Sequence, residues 1–131
     1  RLSRDGDIDD DGLIWRAELA NDWGADLFLS IHANSAANTT AHGTEVWYYP
    51  GSRAGRRLAH RIQRAIVRRL GTTDRGVKSA AFTVLAATDC PAVLVETAFL
   101  SNPVDRALLT APARQDDFAA AIAAAIEKMN P

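Results

Sequence analysis

Two stretches of the sequence end in groups that can do chemistry. One is FLSIHANS, residues 28–35, where an apolar run closes on His32. The other is AVLVETAF, residues 92–99, where four apolar residues lead to Glu96. Imidazole is the commonest metal ligand and titrates near neutral pH. A carboxylate near a metal-held water is a natural general base. A carboxylate after four apolar residues is costly to bury alone, so it calls for a metal, an arginine or a helix N-terminus. A lone histidine at a strand end is also an ordinary structural residue. A catalytic zinc needs three protein ligands, and spacing supplies one.

The elements around these residues must bring them together. Residues 27–33 read as a strand, apolar on both faces and so central in a sheet. Residues 92–96 and 82–85 read as short buried strands, and 44–49 as a strand of β-branched and aromatic residues stopped by Pro50-Gly51. Residues 35–43 form a loop. Acidic Asp9-Asp10-Asp11 and Gly12 mark the entry to a helix over 13–22, which Gly24 breaks. Residues 53–70 form the clearest helix, with Leu58, Ile62, Ile66 and Leu70 four apart and Gly71 as the stop. Two more helices, 103–109 and 112–129, open on prolines that a first turn tolerates. The last is Ala-rich, which lets it sit close to the sheet. Alternating strands and helices predict an α/β fold with a mixed, largely parallel sheet flanked by helices. In such sheets, sites gather beyond the carboxyl ends of strands, where His32 and Glu96 can converge.

The chain of 131 residues carries a net charge of -1 and suits one domain over 1–131. Nothing in its overall charge points to nucleic acid or an anionic membrane. No apolar run approaches a membrane span, and no signal-peptide pattern opens the chain. The single cysteine, Cys90, excludes an internal disulfide and reads as a small packed residue beside Pro91.

Longer words carry a resemblance. GADLFLSIHANSAAN, GTEVWYYP, DRGVKSAAFTVL and PAVLVETAFLSNPVD, in this order and spacing, closely resemble the zinc-dependent N-acetylmuramoyl-L-alanine amidases of bacterial cell-wall metabolism. Upstream, RLSRDGD and LIWRAELAND resemble that family's second strand and helix. The resemblance implies that His32 is the last zinc ligand and Glu96 the catalytic glutamate. It implies one zinc ion, and hydrolysis of the amide between N-acetylmuramic acid and L-alanine of the stem peptide. Zinc polarises the carbonyl and activates water, and Glu96 passes the proton to the leaving amine. The partners implied are peptidoglycan stem peptide and glycan, met outside the cytoplasm. Asn34 and Asn102 match positions near the site, with a role in substrate binding or in loop structure.

The departures also matter. The family's first two zinc ligands come from an earlier strand and helix, and this chain, opening on Arg1, is expected to start after both. Its first strand is then expected to be missing from the sheet. Ala86 stands where the family often has Arg, and Ala98 where Gly is common. Tyr49 runs through Pro50-Gly51-Ser52 straight into the long helix, leaving no room for a self-blocking insertion. His42 and His60 match no ligand position and read as surface residues. The long helix bears Arg53, Arg56, Arg57, Arg61, Arg64, Arg68 and Arg69. It reads as a solvated face balanced by acids elsewhere, since no aromatics interleave; the alternative is an anion-binding face for wall polymers or nucleic acid. A second reading of the whole chain is a silent peptidoglycan-binding module of the same fold.

Overall fold

The computed structural model describes residues 12–127. The elements run α1 (Leu13–Trp23), β1 (Phe28–Asn34), β2 (Thr44–Tyr48), α2 (Arg53–Leu70), β3 (Asp74–Ser79), α3 (Thr83–Ala86), β4 (Ala92–Phe99), α4 (Pro103–Thr110) and α5 (Pro112–Glu127). The strands form one mixed sheet in the order β1-β4-β2-β3. β1 runs parallel to β4, and β2 parallel to β3; β2 and β4 are antiparallel.

Local chemistry sets the boundaries. Ser52 caps α2 by accepting the Gly55 N–H at 3.0 Å. Gly71, in the left-handed region at φ 71°, ends it and returns its N–H to the Val67 carbonyl. Between those caps Leu58, Ile62 and Ile66 are fully buried, each contributing about 1.5–3 kcal/mol relative to exposure. Asn102 caps α4, with Pro103 in its first turn.

The period-2 alternation of the strands sorts side chains onto two faces. On one face Val46, Val93 and Val95 meet Leu58, Ile62 and Ile66 of α2, and Phe118 and Ile122 of α5 complete that core. On the other, Ala92 and Leu94 pack with Val84 and Leu85 of α3, alongside Phe28 and Trp47. His32, Glu96 and Glu45 continue this second face toward the sheet edge.

Three expectations change. Residues 82–85 belong to a helical turn, α3, not a strand; a four-residue apolar run cannot distinguish the two. DRGVKS is an unforeseen strand, β3, charged and glycine-bearing, and it is the last strand of the sheet among the described residues. Among the described residues β1 pairs only with β4, and Ile31 is 58% exposed. The Ala-rich α5 packs chiefly against α2 rather than the sheet. The acidic run Asp9-Asp10-Asp11 and the RLSRDGD segment lie outside the described residues.

Candidate active site

Strand register brings the two sequence candidates together. His32 on β1 and Glu96 on β4 are paired positions of the parallel ladder, and Glu96 is also paired with Glu45 across β2. His32, Glu96 and Glu45 thus stand in a row on three neighbouring strands. Directly beyond His32 the ladder slips, Asn34 opposing Phe99, so β4 accommodates one extra residue just past Glu96. Bulges of this kind re-aim side chains beside active sites. Thr97 Oγ1 donates to the His32 carbonyl at 2.8 Å across the slip.

Glu45 is the residue that sequence reasoning missed. It is 5% exposed, and both carboxylate oxygens are engaged. Oε1 accepts from Asn34 Nδ2 at 3.2 Å and Trp47 Nε1 at 3.3 Å. Oε2 accepts from Arg75 Nε at 2.9 Å and Lys78 Nζ at 2.5 Å. Burial pushes its carboxyl up, but the bonds and charges of Lys78 and Arg75 prevail and hold it below the usual range. Arg75 stacks over Phe99 at 4.8 Å and Lys78 lies 5.2 Å from the Trp47 ring centroid. The available signal was a charged residue sharing a strand face with Trp47. Its partners sit on β3, which the sequence pattern did not reveal.

Glu96 is treated differently. Its Oε2 is buried without a hydrogen-bond partner among the described residues. Burial, then the charge of Glu45, raises its carboxyl above the ordinary glutamate range. That suits a group that must both take and give a proton. His32 keeps one side open to solvent. The protein packed around its other side, and then the Arg16 charge, hold its imidazole below the usual histidine value. Ser30 Oγ lies 2.8 Å from its Nε2 and fixes the ring. A neutral imidazole is the form that binds a metal.

Asn34 links β1 to Glu45 and accepts the Ser35 N–H at 2.8 Å. Asn102 accepts from the Val104 and Asp105 N–H groups at 3.0 and 3.1 Å, and donates to Thr39 O at 3.0 Å, so it structures the 35–43 loop. Asp105, also missed, is 4% exposed and accepts from Gly43 N at 2.7 Å and Phe99 N at 2.9 Å. It ties the end of that loop to β4. Gly43 has φ +105°, and a Cβ there comes within 2.4 Å of the Thr73 carbonyl oxygen. His42 and His60 are exposed.

As a metal centre the described residues are a partial fit. His32 offers an imidazole and Glu96 an unpartnered carboxylate oxygen. No group of three His, Cys, Asp or Glu able to hold a metal ion forms among the described residues.

The family described as Amidase_3, N-acetylmuramoyl-L-alanine amidase, matches residues 1–128. The chain belongs to this family. It is 46% identical over 100 residues to the N-acetylmuramoyl-L-alanine amidase LytC of Bacillus subtilis, an alignment covering 75% of this chain and 20% of LytC. Among solved structures, the amidase AmiC2 of Nostoc punctiforme matches with a TM-score of 0.91 at 35% identity, over 98% of this chain and 71% of AmiC2. The catalytic domain of the amidase CwlV of Bacillus (Paenibacillus) polymyxa var. colistinus gives 0.83 at 34% identity, over 89% and 64%. The mixed α/β sheet flanked by helices is therefore the amidase fold. The chain spans only about a fifth of LytC.

Proposed function

We propose that this chain is the catalytic part of a zinc-dependent N-acetylmuramoyl-L-alanine amidase, acting on peptidoglycan outside the cytoplasm. The reading is carried by Glu96, flanked in register by His32 and Glu45, with a buried, unpartnered Oε2 and a raised carboxyl pKa. His32 is assigned as one zinc ligand; the others are not among the described residues. When bound, zinc supplies Lewis-acid polarisation of the scissile carbonyl. Glu96 takes a proton from the attacking water at Oε2 and delivers it to the departing amine nitrogen of L-alanine, as the new carbon–oxygen bond forms and the carbon–nitrogen bond breaks. Asn34 holds Glu45 in place behind the site, and Asn102 acts through the 35–43 loop.

The test is release of stem peptides from purified cell walls by the full-length protein, read as new N-terminal L-alanine, with bound zinc measured in parallel. Release that needs zinc and is abolished by Glu96→Gln supports the reading. Neither zinc nor release overturns it. A silent wall-binding module is the second reading, favoured by the lack of a three-ligand group among the described residues. It predicts cosedimentation with walls and no new N-termini.

A further inference from the structure

Helix α2 carries a charge pattern that neither the core nor the site uses. Opposite its buried stripe, Arg53, Arg56, Arg57, His60, Arg61 and Arg64 line a shallow groove of about 560 Å³. The helix has no acidic residue. The expected balance from acids elsewhere is met where Arg69 reaches Asp117 at 2.9 Å. Arg53, Arg56, Arg57, Arg64 and Arg68 have no ion pair among the described residues. A face that serves only solubility mixes signs, because opposite charges four apart stabilise a helix and like charges destabilise it. Here Arg53 neighbours Arg57, and Arg64 neighbours Arg68, at that spacing. Arg53 and Arg56 also occupy the first turn, at the positive end of the helix dipole, where cations are disfavoured. The free helix is self-repelling, and an anion along it relieves the repulsion.

The groove also has a direction. β2 is antiparallel to β4, so α2 leaves from the sheet end opposite Glu96 and runs back toward it. Just past α2, Thr72 Oγ1 bonds Thr44 Oγ1 at 2.7 Å, next to Glu45. Arginines four residues apart recur about every 6 Å along the axis, a repeat that an extended polymer with one charge per unit can follow.

We propose that this groove binds a flexible, phosphate-bridged polyanion of the cell wall, laid along α2 on the sheet face opposite Glu96; its place in the wall rests on the function proposed above. Single-stranded nucleic acid fits less well, since no aromatic side chain interleaves with the arginines to stack on bases. A membrane surface fits less well, since the apolar face that would enter lipid is the protein core.

The probe is end-labelled inorganic polyphosphate, titrated with the full chain over a range of salt concentrations, with chelator present to silence catalysis. Binding is expected at low salt, its logarithm falling linearly with the logarithm of salt. Combining Arg53→Gln, Arg57→Gln and Arg64→Gln should weaken it about tenfold or more and reduce the slope by about 2, without lowering the melting temperature. Arg106→Gln, exposed on α4, should change nothing. Intact walls should retain the chain, and walls stripped of phosphate should not. Equal binding by the triple variant, equal retention on stripped walls, or tighter binding of duplex DNA or anionic vesicles than of polyphosphate overturns the proposal. Arginine-dependent polyphosphate binding by a chain that releases no stem peptide supports the groove and overturns only the function proposed above.

Discussion

Glu45 and Glu96 stand directly opposite each other across the antiparallel β2–β4 pair, and the local cations belong to only one of them. Glu45 takes Arg75 and Lys78, while Glu96 keeps an unpartnered oxygen beside a carboxylate charge. Neighbouring carboxylates in unlike surroundings are pushed apart in pKa, and that divergence separates a fixed charge from a proton carrier. Glu45 also bonds Asn34, two residues past His32, so one side chain ties three strands together behind the site.

Glu45→Gln should therefore destabilise the fold. Breaking a buried pair costs several kcal/mol, but Arg75 and Lys78 are about a third exposed and rehydrate when released. The expected loss is about 1–3 kcal/mol at pH 7. Because the folded carboxyl lies below its unfolded value, its stabilisation is present above the unfolded pKa and lost as pH falls through the folded one. Urea unfolding of both proteins at neutral and acid pH should show the gap closing in acid. A gap of constant size would mean that charge plays no part.

Glu96→Gln should have the opposite sign. A carboxyl raised by folding binds its proton more tightly when folded, so stability declines as pH rises from the unfolded pKa through the raised folded one. The neutral amide escapes that penalty. A gain of about 0.5–2 kcal/mol is expected at pH 7, vanishing near pH 4. Thermal melts across that range, run with chelator, decide it; a variant less stable at pH 7 contradicts the geometry.

Asp105 carries a different load. Asp105→Ala leaves the Gly43 and Phe99 N–H groups buried without acceptors, which should cost about 2–4 kcal/mol. Asp105→Asn keeps an acceptor and should recover part of the loss. Denaturant midpoints with an unchanged slope are the readout, and an Ala variant as stable as the parent refutes the anchoring role.

Much of this arrangement was legible in the sequence, and the illegible part has a physical cause. α2 was readable because its core stripe, Ser52 start and Gly71 stop are all local. His32 and Glu96 were readable as strand residues because apolar runs lead into them, although β1 and β4 continue past them to Asn34 and Phe99. β3 was not, because DRGVKS lacks the apolar alternation that marks a half-buried strand. Glu45 was hidden for the same reason. A glutamate inside TEVWY looks like a solvent-facing position until Arg75 and Lys78, on the unseen strand, arrive beside it. β1 reads as central because both its faces are apolar, and among the described residues it pairs only with β4.

Two glycines separate conformational strain from collision. Gly71 has φ +71° with nothing within 4 Å of an added Cβ, so Gly71→Ala should cost about 1 kcal/mol from backbone strain alone. Gly43 has φ +105° and a Cβ that meets the Thr73 carbonyl at 2.4 Å, so strain and a backbone clash combine. Gly43→Ala should lose at least about 2–3 kcal/mol and loosen the 35–43 loop. Unfolding free energies for the two variants should differ in that order; equal losses would show that the loop yields freely.

The roles assigned to His32 and Glu96 separate in one experiment on the full-length protein. A ligand and a proton carrier both abolish activity when removed, so activity alone does not tell them apart. His32→Ala should lose bound zinc together with wall hydrolysis. Glu96→Gln is nearly the same size and leaves His32 in place, so zinc content should persist while turnover falls about 10²–10⁴-fold, the range for losing a general acid–base group. In the parent, activity should decline as acid protonates Glu96, at a pH above the ordinary glutamate value because burial and Glu45 raise it. Glu45→Gln removes one of those two causes and should move that limb to lower pH. If zinc is lost from Glu96→Gln, the carboxylate is holding the metal rather than carrying the proton.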